Sequence, residues 1–327
     1  MKTIPRLRFA HLPTPVEPLP RLTAALGGPQ LFVKRDDQTG LAMGGNKTRK
    51  LEFLLAEAQA HGARTIITAG AVQSNHCRQT AAAAARFGYD CLLVLTGEPP
   101  DLFSGNLLLD QLLGAEIIHA TQAEREDTLK ETFETAWKAG RRPYLVPYGG
   151  SNPTGASGYV YAIREILEQC HDSTVLNTPP DWILFASSSG GTQAGMLVGA
   201  RLFGFSGRIL GISVDEPADA LQSKVGALAT STAHHLGEAF SFNPEDVLVN
   251  TDYLGGGYGI MGNAEREAIK LFAQKEGLML DPVYTGKAAA GLIDLIRIGY
   301  FNEDDRVLLW HTGGAPALFA EQYQQMW

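Results

Sequence analysis

The chain has 327 residues, 45% of them hydrophobic and 19% charged, with a net charge of -8 at neutral pH. That composition fits a globular protein of two domains, or one large α/β domain, with a sizeable core. The acidic balance argues against nucleic acid or an anionic membrane as a partner, and no apolar run approaches the roughly 20 residues a membrane span needs.

Strands and helices alternate along the sequence. Branched apolar runs predict strands at Leu31–Arg35, Thr65–Ala69, Cys91–Leu95, Glu116–Ala120, Tyr144–Pro147, Trp182–Ala186, Ile209–Val214 and Arg306–Trp310. Amphipathic stretches at Leu51–His61, Gln79–Phe87, Asn106–Leu113, Val160–Gln169 and Gln193–Leu202 predict helices, with Leu51, Leu54, Leu55 and Ala58 on one face. The alternation implies an α/β fold with open, twisted, mostly parallel sheets flanked by helices. Ligands bind such sheets at the carboxyl ends of the strands. The loops Gly70–Ser74, Gly149–Ser151, Ser187–Thr192 and His311–Gly314 are therefore expected near a site. A domain crossing is expected near Gly149–Gly158.

Segment 1–6 lacks the apolar core of a signal peptide. The three cysteines, Cys77, Cys91 and Cys170, are odd in number and form no CxxC pair. Neither a disulfide framework nor a zinc site is indicated, and a reducing cytoplasm is the expected setting.

Lys47 sits in Gly44-Gly45-Asn46-Lys47-Thr48-Arg49-Lys50, where a loop enters a helix. A lysine at a helix start is ordinarily a solvated surface residue. Here Gly44-Gly45 would let the backbone approach a ligand, and Arg49 and Lys50 would lower the amine's pKa and favour its neutral, nucleophilic form. Ser187-Ser188-Ser189-Gly190-Gly191-Thr192 matches neither the Walker pattern nor GxGxxG, which disfavours ATP and NAD. It offers N–H groups and hydroxyls to one phosphate at a helix N-terminus, or else simply lets a helix pack closely on the sheet. A Schiff-base lysine together with a monophosphate cup suggests pyridoxal phosphate (PLP). Gln73-Ser74-Asn75-His76 would cap a helix and also suit a carboxylate. His76 has no partners at ligand spacing, so no metal is expected. Gly255-Gly256-Gly257-Tyr258-Gly259 reads as a surface loop or as a ligand-facing segment that places Tyr258.

With Asp281-Pro282-Val283-Tyr284-Thr285-Gly286-Lys287 and His311-Thr312-Gly313-Gly314, these motifs appear in an order that resembles the D-cysteine desulfhydrase and 1-aminocyclopropane-1-carboxylate (ACC) deaminase family of PLP enzymes. The resemblance spans about Pro5 to Phe319. It implies a tryptophan-synthase-β type of fold (PLP fold type II). A small α/β domain, residues 51–160, would be inserted in a large domain made of 1–50 plus 161–327, with PLP between them. It also implies that Lys47 holds PLP and moves protons at the substrate Cα. Ser188, Ser189, Gly190, Gly191 and Thr192 would bind the phosphate, and Asn75 the 3-oxygen. Tyr284 would lie against the ring and Thr312 would face its nitrogen. Ser74, Asn75 and His76 would form the carboxylate pocket, with Thr285 nearby, and Tyr258 would approach the reacting end of the substrate.

ACC deaminases typically carry Glu at the position of Thr285 and Leu at that of Thr312. The threonines favour the desulfhydrase branch, which eliminates hydrogen sulfide from D-cysteine to give pyruvate and ammonia. L-cysteate sulfo-lyase is the alternative, then ACC deaminase. The non-enzymatic alternative is a small-molecule binding protein on the same scaffold. A homodimer acting on a small amino acid is expected by analogy.

Overall fold

A computed structural model describes residues 2–172 and 175–327. Met1, the first residue of the segment read for a signal peptide, lies outside them. Strands β1 (Val16–Pro18), β2 (Gln30–Arg35), β3 (Thr65–Ala71), β4 (Asp90–Thr96), β5 (Glu116–Ala120), β6 (Pro143–Leu145), β7 (Trp182–Ser187), β8 (Arg208–Ser213), β9 (Leu248–Asn250) and β10 (Arg306–His311) build two sheets. The helices are α1 (Pro20–Leu26), α2 (Lys47–Ala60), α3 (Asn75–Phe87), α4 (Gly105–Leu112), α5 (Arg125–Lys138), α6 (Pro153–Asp172), α7 (Gly191–Phe203), α8 (Ala218–His235), α9 (Asn263–Glu276), α10 (Thr285–Arg297) and α11 (Glu321–Gln324).

One sheet has the order β1-β2-β10-β7-β8-β9 and is parallel except for the antiparallel β1–β2 pair. The other, β5-β4-β3-β6, is wholly parallel. This is the mostly parallel α/β architecture expected from the alternation. The central strands are covered on both faces. Leu184 packs into one apolar cluster, while Ile183 and Phe185 pack into another across the sheet. Each such fully buried side chain contributes roughly 1.5–3 kcal/mol. A run of small residues, Ala81 to Ala84, lets α3 lie close against its neighbours in the core of the smaller sheet. Cys77, Cys91 and Cys170 are unpaired and buried.

Three helices start a full turn or more before the apolar periodicity predicts: α2 at Lys47 rather than Leu51, α3 at Asn75 rather than Gln79, and α6 at Pro153 rather than Val160. The first turns of α2 and α3 are buried through polar groups, among them Thr48, Arg49, Lys50, Asn75, His76 and Arg78. A hydrophobicity pattern does not register these residues. The start of α6 carries Gly155 and Gly158, whose missing side chains admit the Gly150 and Arg49 carbonyls. Gly44-Gly45 serves the chain itself rather than a ligand, because a Cβ on Gly44 would fall 1.9 Å from the Asp37 carbonyl oxygen.

The start of α2 is anchored by a buried ion cluster. Arg49 pairs with Asp36 and with Glu165, each at 2.8 Å, and Lys34 meets Glu165 at 2.6 Å. Tyr159 donates to Asp36 at 2.6 Å. Burial alone would raise the Asp36 carboxyl, but the Arg49 guanidinium outweighs it and holds the pKa at about 2. Because the folded-state value is depressed, the stabilisation is present at neutral pH and is lost as pH falls from about 4 through about 2. Asp36→Ala would leave Arg49 and Lys34 under-neutralised, and the expected loss in denaturant unfolding at pH 7 is roughly 3–5 kcal/mol. A loss below about 1 kcal/mol would show that the cluster is not a determinant of stability.

Candidate active site

A cleft opens where the carboxyl ends of β3, β7 and β10 face the start of α2. Of the residues singled out in the sequence, Lys47, Ser74, Asn75, His76, Ser188, Ser189, Gly190, Thr192, Tyr284 and Thr312 line it. Gly191, Tyr258 and Thr285 do not. Asn46, which the Gly44–Lys50 motif contains but to which no role was given, also lines it, as does Tyr148.

Lys47 occupies the first position of α2. Its amine makes no hydrogen bond or ion pair with any described residue, and burial lowers its pKa to about 8. Arg49, which the sequence reading placed beside that amine, turns away into the Asp36–Glu165 cluster. Lys50 does stay close. Its ammonium donates to the Gly149 carbonyl at 3.0 Å and to Ser151 Oγ at 3.4 Å, and burial together with Lys47 pushes its pKa well down. The helix start is tied to the rest of the cleft by amides. Gln79 Oε1 accepts from the Thr48 N–H, and Asn46 Nδ2 donates to Thr192 Oγ1.

The opposite wall is the start of α7. Gly190 adopts φ +82° to turn the chain, and the first turn carries no acidic residue. The Gly191 N–H donates to Ser151 Oγ, which donates onward to Ser189 Oγ at 2.8 Å. A Cβ at Gly191 would lie 3.0 Å from the Lys50 amine, so glycine is what lets that ammonium reach the helix end. A helix N-terminus with hydroxyls and a buried lysine amine forms an anion cup. Ser188 differs from its neighbours in this cup: its hydroxyl donates to Asp215 at 2.6 Å. With its proton engaged there, the side chain is left as an acceptor toward the cleft, and only its backbone N–H is free to meet a phosphate.

Ser74 caps α3, its Oγ accepting from the Cys77 N–H. Asn75 is oriented by Asn106, whose Nδ2 donates to Asn75 Oδ1. Thr68 Oγ1 gives its proton to the Val146 carbonyl, so at its 2.8 Å contact with His76 Nε2 it must accept. This assigns the Nε2–H tautomer. His76 Nδ1 is left buried, bare and without a partner. Burial, with help from Lys47 and Lys50, pushes the His76 pKa well down. A neutral ring with a lone pair at Nδ1 does not donate to a carboxylate. His76 lines the cleft, and the donors at this wall are the N–H groups at the start of α3.

Tyr284 precedes α10, and its hydroxyl meets that of Tyr258 at 2.8 Å. Tyr258 therefore reaches the cleft through Tyr284. Burial pushes both phenols up, so both hold their protons at neutral pH. Thr285 is buried and its hydroxyl is engaged with Asp281, whose carboxylate also accepts the N–H groups of residues 283, 284 and 285. Thr285 thus shapes the start of α10, and its side chain does not reach the cleft that the sequence reading assigned it to.

A reactive amine facing an anion cup and a ring-bearing wall defines a site for a phosphorylated aldehyde cofactor. The pyridoxal-phosphate dependent enzyme family model matches residues 7–313. This chain belongs to that family, and its cofactor is pyridoxal phosphate. It is 45% identical to the D-cysteine desulfhydrases of Salmonella typhimurium and of Salmonella typhi, over 97% of this chain and 96% of each relative. Among solved structures, an ACC deaminase homologue superposes with a TM-score of 0.89 at 37% identity, covering 99% of this chain and 96% of that one. The Rhizomucor miehei L-serine ammonia-lyase shares the fold, with a TM-score of 0.69 at 17% identity over 97% of this chain and 99% of that one.

Two measurements test these assignments. Reaction of Lys47 with an amine-specific reagent in cofactor-free protein should rise through pH of about 8, as the lowered pKa requires; a midpoint near 10 would mean a solvated amine. Lys50→Met should weaken cofactor binding about 10- to 100-fold in equilibrium dialysis, the worth of one charge-assisted contact. Ser188→Ala should change it less than about 3-fold, because its hydroxyl is already engaged; equal losses would contradict that division.

Proposed function

We propose that the protein eliminates hydrogen sulfide from D-cysteine, giving pyruvate and ammonia with the uptake of one water. The observation that carries this reading is the charge of the cleft: among the described residues, no Asp or Glu lines it, and Thr312, a neutral hydroxyl, does. Bound pyridoxal phosphate supplies an electron sink for charge developing at the substrate Cα. A neutral partner leaves that sink moderate, which suffices to expel a thiolate from Cβ and suits ring opening less well. The 45% identity to enzymes called D-cysteine desulfhydrase supports the same substrate.

In this reading Lys47 holds the cofactor and accepts the Cα proton, for which its lowered pKa suits it. Ser74 and the N–H groups at the start of α3 hold the substrate carboxylate at a positive helix end. Lys50, Ser189, Gly190, Gly191 and Thr192 hold the phosphate, Asn75 orients the ring, and Tyr284 lies against it. The protonated Tyr258–Tyr284 pair delivers a proton to the departing sulfur. The division into residues 51–160 and 1–50 plus 161–327, a homodimeric state and a cytoplasmic setting belong to this proposal. No described helix is long and apolar enough to cross a membrane.

Holoenzyme given D-cysteine, L-cysteine, L-cysteate and ACC should release sulfide and pyruvate mainly from D-cysteine. Sulfite from L-cysteate, or 2-oxobutyrate from ACC, as the main product would replace the substrate assignment. Lys47→Ala should lower turnover by at least about 1,000-fold, since it removes both anchor and base; wild-type turnover would end the reading.

A further inference from the structure

Lys287 is fully buried in α10, far from any surface role a lysine usually has. Its ammonium makes no ion pair with any described residue. Instead it donates to backbone carbonyls: Leu254 at 2.5 Å, Gly257 at 2.7 Å and, at the end of β8, Val214 at 3.5 Å. Burial lowers its pKa, and Glu265 and Asp215 offset part of that through space. A buried ammonium costs several kcal/mol unless its donors are satisfied. Here it is carbonyl oxygens that satisfy them, and two of the three belong to one loop.

That loop is the glycine-rich segment around Tyr258. Gly255, Gly257 and Gly259 take φ of +56°, +102° and +75°, and a chain of this kind has much conformational entropy to lose. Lys287 grips it at residues 254 and 257, and Tyr323 donates to the Gly259 carbonyl at 2.6 Å on the far side. Tyr284 meets Tyr258 itself at 2.8 Å. Tyr284 and Lys287 stand three residues apart, on one face at the start of α10. The same turn of helix therefore holds both the loop and the hydroxyl that the loop carries.

We propose that Lys287 is a positioning residue for the elimination: it fixes loop 254–259 on α10 and thereby holds the Tyr258 hydroxyl against Tyr284, which lines the cleft. The inference rests on the role given to Tyr258 above. Lys287 touches neither substrate nor cofactor.

The test combines a cycle of variants with a direct readout of the loop. Lys287→Met keeps the stem and removes the ammonium. The holoenzyme should retain its cofactor absorbance, lose about 10- to 100-fold in kcat with a smaller change in KM, and exchange backbone hydrogens faster at residues 254–259 than elsewhere. In a Tyr258→Phe background the same substitution should cost less than about 3-fold, because the group it positions is already gone. Lys287→Ala should regain activity when propylammonium, the missing tail, is added, and the Tyr258→Phe double variant should not. Should Lys287→Met fail to fold, Lys287→Arg carries the same cycle. Equal losses in the two backgrounds, or unchanged exchange at 254–259, would overturn the proposal. The exchange readout holds whichever amino acid proves to be the substrate, so a failed substrate assignment is told apart from a failed tether.

Discussion

Arg49 carries its charge into a site with almost no water, and the carboxylates that answer it come from opposite parts of the chain, Asp36 after β2 and Glu165 in α6. Removing either answer would leave a buried guanidinium under-neutralised, so the cluster fixes how α2 is rotated. Two residues along a helix is a turn of roughly 200°, and three residues brings the chain back to nearly the same face. With Arg49 held inward, Lys47 lines the cleft and the Lys50 amine reaches the Gly149 carbonyl at its edge. The placement of the reactive amine is thus set by an ion cluster it does not touch.

The electrostatics of the cleft follow from that rotation. Two amines, one half-buried and one fully buried, face a helix N-terminus with no lining carboxylate to offset them. Such a field suits a doubly charged phosphate on one side and a single carboxylate on the other. Burial, helped by that field, keeps His76 neutral. The groups that complete the site are polar but uncharged, and each is oriented by a neighbour: Asn75 by Asn106, Ser188 by Asp215, Tyr258 by Tyr284.

Much of this was legible in the sequence, for definite reasons. The strands are apolar runs, and the loops after β3, β7 and β10 carry their glycines and hydroxyls as local motifs. Lys47, Ser74, Asn75 and Thr312 could be singled out because each sits inside such a motif. Lys50, Gln79, Ser151 and Asp215 could not be assigned their contacts, since those depend on chain segments brought together only by the fold; Ser151 meets Ser189 across 38 positions. The hydrogen-bond partners of the His76 and Thr285 side chains were hidden for the same reason. A motif fixes which residue is present, whereas its partner, Thr68 for one and Asp281 for the other, decides where the proton points.

The burial of the cysteines has a consequence for chemistry at this protein's surface. Cys77, Cys91 and Cys170 are the chain's only thiols, and burial pushes the pKa of each upward, that of Cys170 to about 11. The thiolate is the form that attacks disulfides and is captured by them. The oxidised dimer of a thiol-bearing amino acid therefore finds no exposed thiolate on the folded chain with which to exchange into a mixed disulfide. Disulfides in the surrounding medium thus leave the thiols of the folded chain unexchanged.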